Sequence, residues 1–458
     1  MDLTRRQLLV SSALPLLAKK SRAPASRPNI LLILADDLAS WMLGCYGNQE
    51  IRTPNIDGLA RAGVRFQSSF VCTPICSASR ATLFTGRVPR QTGIIDYLDP
   101  HPVADPPQGQ AAPPESFARE VMISDVLAQA DYNCGYSGKW HMGGDTKPGH
   151  GYSFTYTLDG GSSRYNDPVM YLNGEKLEEK GYMADLITRR ANEFLDRQTP
   201  GKPFFLTASY TNPHTPYDGH PQKYYDLYAG TSFDTVGWER PAANALREKE
   251  MLRDTVGNIR RCAASVTALD DQVPVLLRKL HETKLWENTL VIFTGDNGYL
   301  LGRHGLWSKG LASDPINMYE EVMQVPMIWA WPGRTPTETM RPELISFYDF
   351  LPSLCDAAGV VAPDRNLCGR SYLTAASGRS FPKKHAWRNL VFGHFRNTEM
   401  ARDSRYKLVL RNEGKGPNEL YDLESDPRER KNQYDNGAYT ATRQRLEKEL
   451  AAWRAAYV

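Results

Sequence analysis

Where strands are expected in this chain, apolar and polar positions mostly fail to alternate. Residues 29–37 (NILLILADD), 203–214 (PFFLTASYTNPH), 288–298 (NTLVIFTGDNG) and 325–333 (VPMIWAWPG) each carry a continuous apolar run. Such runs predict parallel strands covered on both faces by helices. A shorter run at 132–141 (YNCGYSGKWH) follows the same plan. Between them, residues 53–63 (TPNIDGLARAG) and 185–198 (DLITRRANEFLDRQ) place apolar residues at helical spacing. Strands alternating with helices predict an α/β sandwich around a large, mostly parallel central sheet flanked by helices. No internal repeat is present.

Past residue 379 the texture changes. Short alternating runs separated by turns lead into ELYDLESDPRERKNQ and a final helical pattern, ATRQRLEKELAAWRAAY. This predicts a smaller C-terminal α+β subdomain, residues 379–458, with an antiparallel sheet and a packed helix. The main unit then covers residues 28–378. Residues 98–117 are proline-rich and predict a surface loop. Residues 210–260 mix aromatics, prolines and charges, as expected of a long excursion over the sheet.

The first 27 residues stand apart. Arg5 and Arg6 precede a short apolar stretch and then basic and small residues, the layout of an export signal of twin-arginine type. This predicts a periplasmic or extracellular destination. Residues 1–22 carry five Lys/Arg and one Asp, so without them the formal charge of the 458-residue chain falls from +3 to −1. A near-neutral protein has no bulk charge for gripping nucleic acid. No run of 18 or more apolar residues predicts a membrane span. The seven cysteines are an odd number, which in an exported protein flags a thiol with another task. Cys355 and Cys368 have a spacing compatible with pairing, although spacing alone settles no connectivity.

Ligands of open parallel sheets bind outside the carboxyl ends of the strands. Here those ends read Asp36-Asp37, Asp296-Asn297, Asn212-Pro213-His214 and Lys139-Trp140-His141. If the strands are neighbours, carboxylates, a carboxamide, two histidines and a lysine meet on one rim. Taken singly, an Asp-Asp pair or a GDNG segment is an ordinary turn; their joint placement after buried strands is what points to a site. Three carboxylates with an amide oxygen form a hard, all-oxygen set, suited to Ca²⁺ or Mg²⁺ rather than zinc.

The segment CTPICSASRATLFTGR adds a nucleophile. From Ser77 the pattern is helical, so Cys76 sits at a helix start, where free N–H groups and the dipole favour negative charge. Arg80, one turn later, supplies a fork of donors for an oxyanion. Without the other motifs, Cys76 would read as a buried helix-start thiol.

These residues resemble the signatures of the type I, formylglycine-dependent sulfatases of the alkaline phosphatase superfamily. PICSASRATLFTGR is similar to their Cys-x-Pro-x-Arg…Thr-Gly-Arg motif and SGKWHMG to their second signature. LLILADD, RTPNIDGLARAGVRF, NPHTPY, FTGDNG, NMYEEVMQVPMIW and ELYDLESDPRERKN match further landmarks in order, from about residue 28 to the end. The resemblance implies an alkaline-phosphatase-like sandwich that hydrolyses a sulfate monoester, with a carbohydrate as the expected carrier. It implies that a formylglycine-generating maturase oxidises Cys76 to Cα-formylglycine; Cys72, lacking an arginine four positions on, is not the target. One hydroxyl of the hydrated aldehyde would attack sulfur with Asp296 as base, giving a covalent sulfate ester. The second would lose its proton to His141 and expel sulfate. Asp36, Asp37, Asp296 and Asn297 would hold Ca²⁺, or Mg²⁺, together with residue 76. Arg80 and Lys139 would orient the nucleophile. His214 and Lys309 would bind sulfate and protonate the leaving oxygen, and His304 would line the substrate pocket.

The chain departs from the family pattern in places. Ala78 replaces the usual proline, Tyr319 lies ten positions after Lys309, and Asp131 and Cys134 stand where glycine and threonine are common. Three other readings use the same residues: a phosphonate or phosphate ester hydrolase, a glycan-binding relative with unmodified Cys76, and a zinc or disulfide module on Cys72 and Cys76. The last lacks a second ligand pair. Substrate choice would rest on loops near 98–118, 145–182 and 211–260.

Overall fold

The computed structural model describes residues 27–99, 109–199 and 201–458; the export signal expected in the first 27 residues lies almost wholly outside them. Ten strands form one sheet: β1 (Asn29–Ala35), β2 (Val64–Phe70), β3 (Asn133–Gly138), β4 (Phe154–Thr157), β5 (Val169–Leu172), β6 (Glu175–Glu178), β7 (Phe204–Ser209), β8 (Thr289–Gly295), β9 (Met327–Ala330) and β10 (Thr339–Ser346). Their order is β10-β2-β9-β8-β1-β7-β3-β4-β5-β6. The centre, β8-β1-β7-β3-β4, is parallel throughout.

Strand β9 corrects one expectation. Its apolar run predicted a parallel strand, but it pairs antiparallel with both β2 and β8. A continuous apolar run reports burial on both faces, and β9 is buried along its whole length; direction leaves no mark on it. β5 is reversed as well.

Helices cover both faces of the sheet. One apolar cluster joins β1 residues Ile30, Leu32 and Leu34 to Ala78, Ala81 and Phe84 of the helix Cys76–Thr85. The other joins Leu31, Ile33 and Ala35 to Ile187, Ala191, Ile259 and Ala263. Alternate residues of one strand thus serve opposite layers, which is why β1 has no polar position between Asn29 and Asp36.

Four antiparallel strands, β11 (Val391–Phe395), β12 (Thr398–Arg402), β13 (Tyr406–Arg411) and β14 (Glu419–Asp422), form the second sheet, with the helix Thr440–Tyr457 packed on it. Its core includes Leu408, Leu420, Leu446 and Leu450, but also Cys72, Val88 and Tyr348 from the main unit. The two units therefore share an apolar seam. All seven cysteines are free thiols. Cys355 and Cys368, whose spacing allowed a pair, belong to different clusters: Cys355 to the main core, Cys368 to the seam.

Candidate active site

Strand register builds the site. Ala35 pairs with Gly295 across β1 and β8, so Asp36 and Asp296 leave adjacent strand ends side by side. Gly138 pairs with Ser209 across β3 and β7. The exits are laced by backbone bonds: Asp296 N–H donates to Ala35 O (2.9 Å), Asp36 N–H to Asn212 O (3.0 Å) and Lys139 N–H to Ser209 O (2.9 Å). Asp37 takes a left-handed backbone, φ 63°, which turns its carboxylate back over the strand ends, and its N–H donates to Asp296 Oδ1 at 3.1 Å.

Cys76 is the first residue of the helix Cys76–Thr85, and no side chain caps that helix's start. Its sulfur lies 3.4 Å from Asp36 Oδ1 and 4.0 Å from Asp37 Oδ1. Lys309 Nζ reaches the sulfur at 2.7 Å and also bonds Asp37 Oδ1. Ala78, at the family's proline position, lies in the first helical turn, where an N–H has no intrahelical acceptor and proline is tolerated. The substitution thus leaves the helix start in place.

Three cations and three carboxylates interleave. Arg80 Nε donates to Asp296 Oδ2 at 2.8 Å, and both side chains are fully buried. Lys139 Nζ meets Asp36 Oδ2 at 2.6 Å, also fully buried. Burial pushes the Asp36 and Asp37 carboxyls up, but Lys139 for the first and Lys309 for the second, with His214 for both, hold them below the usual range. Burial likewise raises the Cys76 thiol, and the flanking lysines do not offset it. As encoded, then, residue 76 is a protonated thiol and a poor nucleophile.

His141 Nε2 lies 2.8 Å from Leu98 O. A carbonyl only accepts, so Nε2 carries the hydrogen and Nδ1 keeps its lone pair; Nδ1 is buried without a partner. Burial, reinforced by Lys139, holds this ring well below the ordinary histidine pKa. Gly161 lies flat against it, and a Cβ there would stand 2.4 Å from the ring. His214 Nε2 is 3.8 Å from Asp37 Oδ2, and its Nδ1 is 2.5 Å from Thr215 O.

The donor set fits a hard cation. One ligand atom each from Asp36, Asp37, Cys76 and Asp296 lies within 4.8 Å of all the others. Ca²⁺ bonds oxygen at about 2.3–2.6 Å, so its ligands lie at most about 5 Å apart. Asn297 donates through Nδ2 to Asp37 Oδ1 (2.7 Å), while its buried Oδ1 has no partner. An orphaned amide oxygen beside three carboxylates is what a hard-cation site would leave unpaired when no ion is bound.

Residues 28–360 match the family model described as Sulfatase. The chain belongs to the sulfatase family. It is a type I sulfatase of the alkaline phosphatase superfamily and a sulfuric ester hydrolase. Residues 302–456 match a second model, N-sulphoglucosamine sulphohydrolase, C-terminal. The chain is 24% identical to an N-acetylglucosamine-6-O-sulfatase of Bacteroides thetaiotaomicron, covering 96% of this chain and 88% of that one. It is 29% identical to human arylsulfatase A, covering 90% and 84%. Its fold also matches a protein solved with its substrate D-glucosamine-2-N,6-O-disulfate, at TM-score 0.80 and 23% identity over 94% of this sulfatase and 98% of that chain.

Of the residues picked from sequence, the structure brings together Asp36, Asp37, Cys76, Arg80, Lys139, His214, Asp296, Asn297 and Lys309, with His141 beside them. The long 309–319 spacing is taken up by a short 3-10 turn at Gly310–Ala312, and Asn317 Nδ2 holds Lys309 O at 3.1 Å. His304 has partners of its own. Its Nε2 lies 3.2 Å from Glu321, its Nδ1 bonds Arg430, and its ring stacks on Tyr319 at 3.8 Å. Sequence reasoning missed Ser209, whose Oγ accepts from Arg80 Nη1 at 2.9 Å, and Leu98, which fixes the His141 tautomer. Ser209 had a signal, since it closes an apolar strand; a backbone carbonyl has none.

Proposed function

We propose that this sulfatase hydrolyses a sulfate monoester carried on a saccharide, after oxidation of Cys76 to Cα-formylglycine by a maturase, and that it works outside the cytoplasm. The observation that carries the reading is the convergence of three buried carboxylates and an unpaired amide oxygen on residue 76, at an uncapped helix start flanked by Lys139, Lys309 and Arg80. The saccharide carrier is supported by relatives named for amino-sugar sulfates. A division of the chain at residue 378/379, twelve residues ahead of β11, belongs to the same reading.

Asp36, Asp37, Asp296 and Asn297 would hold Ca²⁺, which supplies charge stabilisation on the ester oxygens and on the nucleophile. The hydrated aldehyde at position 76 would supply the hydroxyl that attacks sulfur, with Asp296 taking its proton, and a second one through which sulfate leaves. The remaining steps belong to the chain's own groups. Arg80 anchors Asp296 and presents a buried Nη2 that has no protein partner, a spare donor for an oxyanion. Lys309, against residue 76, receives the sulfate oxygens. His214, at the open edge of the cluster, donates a proton to the departing sugar oxygen, and His141 Nδ1 takes one from the second hydroxyl.

Peptide mass spectrometry of the segment spanning residue 76, with rates on aryl sulfate and aryl phosphate esters, tests the reading. The aldehyde mass and a preference for sulfate are expected. An intact thiol in turning-over protein refutes the nucleophile, and a preference for phosphate or phosphonate reassigns the electrophile.

A further inference from the structure

Where the main unit meets the C-terminal sheet lies a cleft of about 770 Å³, lined by Arg90 and Ile95 on one wall and by His394, Arg396, Lys415 and Arg454 on the other. His394 is only 3% exposed, yet its Nδ1 has no hydrogen-bond partner. Leaving such a group unmade costs about 1–3 kcal/mol, so native proteins keep few of them without a ligand or water to serve. Burial, with Arg90 and Arg454 nearby, drops this imidazole's pKa to about 4, so it is neutral and offers one donor and one acceptor.

The charges around it are graded. Arg454 is locked in a forked pair with Glu399, and Arg396 is paired with Asp96. Arg90 and Lys415 are exposed at the cleft's mouth and make no ion pair among the described residues. Glu399 and Glu413 add acceptors. Exposed cations beside carboxylates and a neutral imidazole suit a ligand with both an acidic group and hydroxyls, as an acidic sugar has.

Both walls run into the catalytic centre. Ile95 is three residues from Leu98, a reach of at most about 11 Å. Leu98 O holds His141, and Leu98 N–H donates to Ser77 Oγ at 2.9 Å, next to Cys76. On the other wall Phe395, which precedes Arg396, presses on Gly310, where a Cβ would stand 3.0 Å from its ring; Gly310 follows Lys309. The cleft's lining thus lies one to three residues along the chain from groups that touch the catalytic centre.

We infer that the cleft is an accessory subsite for a second, anionic sugar unit of the saccharide whose sulfate ester is cleaved at residue 76. The inference deepens the sulfatase reading and rests on it for the identity of the chain bound. The test is titration calorimetry of a sulfated monosaccharide and a sulfated hexasaccharide against the wild type and an Arg90→Ala/Lys415→Ala double variant, with kcat/KM on the hexasaccharide and on an aryl sulfate alongside. The wild type should bind the hexasaccharide at least tenfold more tightly than the monosaccharide, and the double variant should reduce that preference below threefold. The quotient of hexasaccharide to aryl sulfate kcat/KM should fall at least fivefold, through KM. His394→Gln, which keeps a donor and an acceptor, should retain more of the preference than His394→Leu. Equal hexasaccharide affinity in wild type and double variant overturns the subsite, as does a wild type without length preference. Length-dependent binding without release of sulfate from any substrate supports the subsite and refutes the assignment of the centre.

Discussion

Lys309 places its ammonium 2.7 Å from the sulfur of Cys76, a residue 233 positions away in sequence, while also bonding Asp37. Burial lowers this lysine's pKa, but Asp37, with Asp36 and Asp296 beyond it, outweighs burial and holds it well above its ordinary value. An ammonium held in its charged form against residue 76 suits an oxyanion, the role proposed for Lys309. Lys309→Met keeps the length of the side chain and removes the charge. Turnover of an aryl sulfate should fall by about 10²–10³-fold, the scale for losing one oxyanion donor. Steady-state kinetics on folded variant checks this; a loss below fivefold would remove Lys309 from sulfate binding.

Arg80 and Asp296 form a second buried pair, and breaking it has a different signature. Arg80→Ala would leave the Asp296 carboxylate buried opposite a cavity, at a cost of about 3–5 kcal/mol of stability, besides losing turnover. Arg80→Lys should restore much of the stability and little of the rate. Lysine returns the charge but cannot at once serve Asp296, Ser209 Oγ and Lys139 O as the guanidinium does. Chemical denaturation set against kcat separates the two effects.

Removal of the divalent ion should leave Asp36, Asp37 and Asp296 neutralised only by Lys139, Lys309 and Arg80. Exhaustive chelation should abolish turnover and Ca²⁺ should restore it, with a rise in the thermal midpoint on rebinding, since a ligand bound only by the native state stabilises it. Asp296→Asn should cut both the rate and this Ca²⁺-dependent rise. Activity indifferent to chelator would take the metal out of the reaction.

Much of the centre was legible in the sequence because strands buried on both faces are apolar until they end, so Asp36-Asp37 and Asp296-Asn297 stand out where the runs stop. The helix start at Cys76 was legible from its small residues and Arg80. Other features had no such imprint. The reversal of β9 is invisible because burial on both faces gives the same run in either direction. His304 was read from its neighbourhood in sequence, but its partners come from position 321 and from Arg430 of the C-terminal unit, contacts that only the fold creates. The cleft around His394 likewise needs two units brought together, and no single stretch announces it.

His304 follows from that difference. Arg430 can only donate, so Nδ1 accepts and Nε2–H donates to Glu321, whose carboxyl is lowered to about 2, His304 outweighing the effect of burial. With both nitrogens occupied, the ring braces the junction between the units. His304→Ala should lower stability by about 1–3 kcal/mol, the cost of unmade buried hydrogen bonds, while KM for an aryl sulfate changes less than twofold. A large rise in KM with unchanged stability would instead place His304 in the substrate pocket.

His220 gives the pH dependence a definite sign. It is 6% exposed, its Nδ1 lies 2.8 Å from Tyr182 Oη, and its ring is boxed by Tyr165, Tyr182 and Tyr225. With burial as the whole cause, its pKa drops from 6.5 to about 4. The unfolded chain therefore binds a proton that the folded one refuses between those values. His220's contribution is fully present above pH 6.5 and is lost as pH falls toward 4. Asp145 and Asp270, raised by burial to about 6, act oppositely: the folded protein takes up their protons first, between pH 6 and 3.8, and is favoured as pH falls. The whole protein's curve mixes these effects, so the informative quantity is the difference from His220→Gln, which keeps a partner for Tyr182 and cannot titrate. The wild type should lose stability relative to that variant by about 1 kcal/mol at pH 5.5 and about 3 kcal/mol at pH 4. Urea unfolding of both proteins at matched pH values measures the gap, and a gap constant between pH 7 and 4 would show that the folded protein protonates His220 as readily as the unfolded chain does.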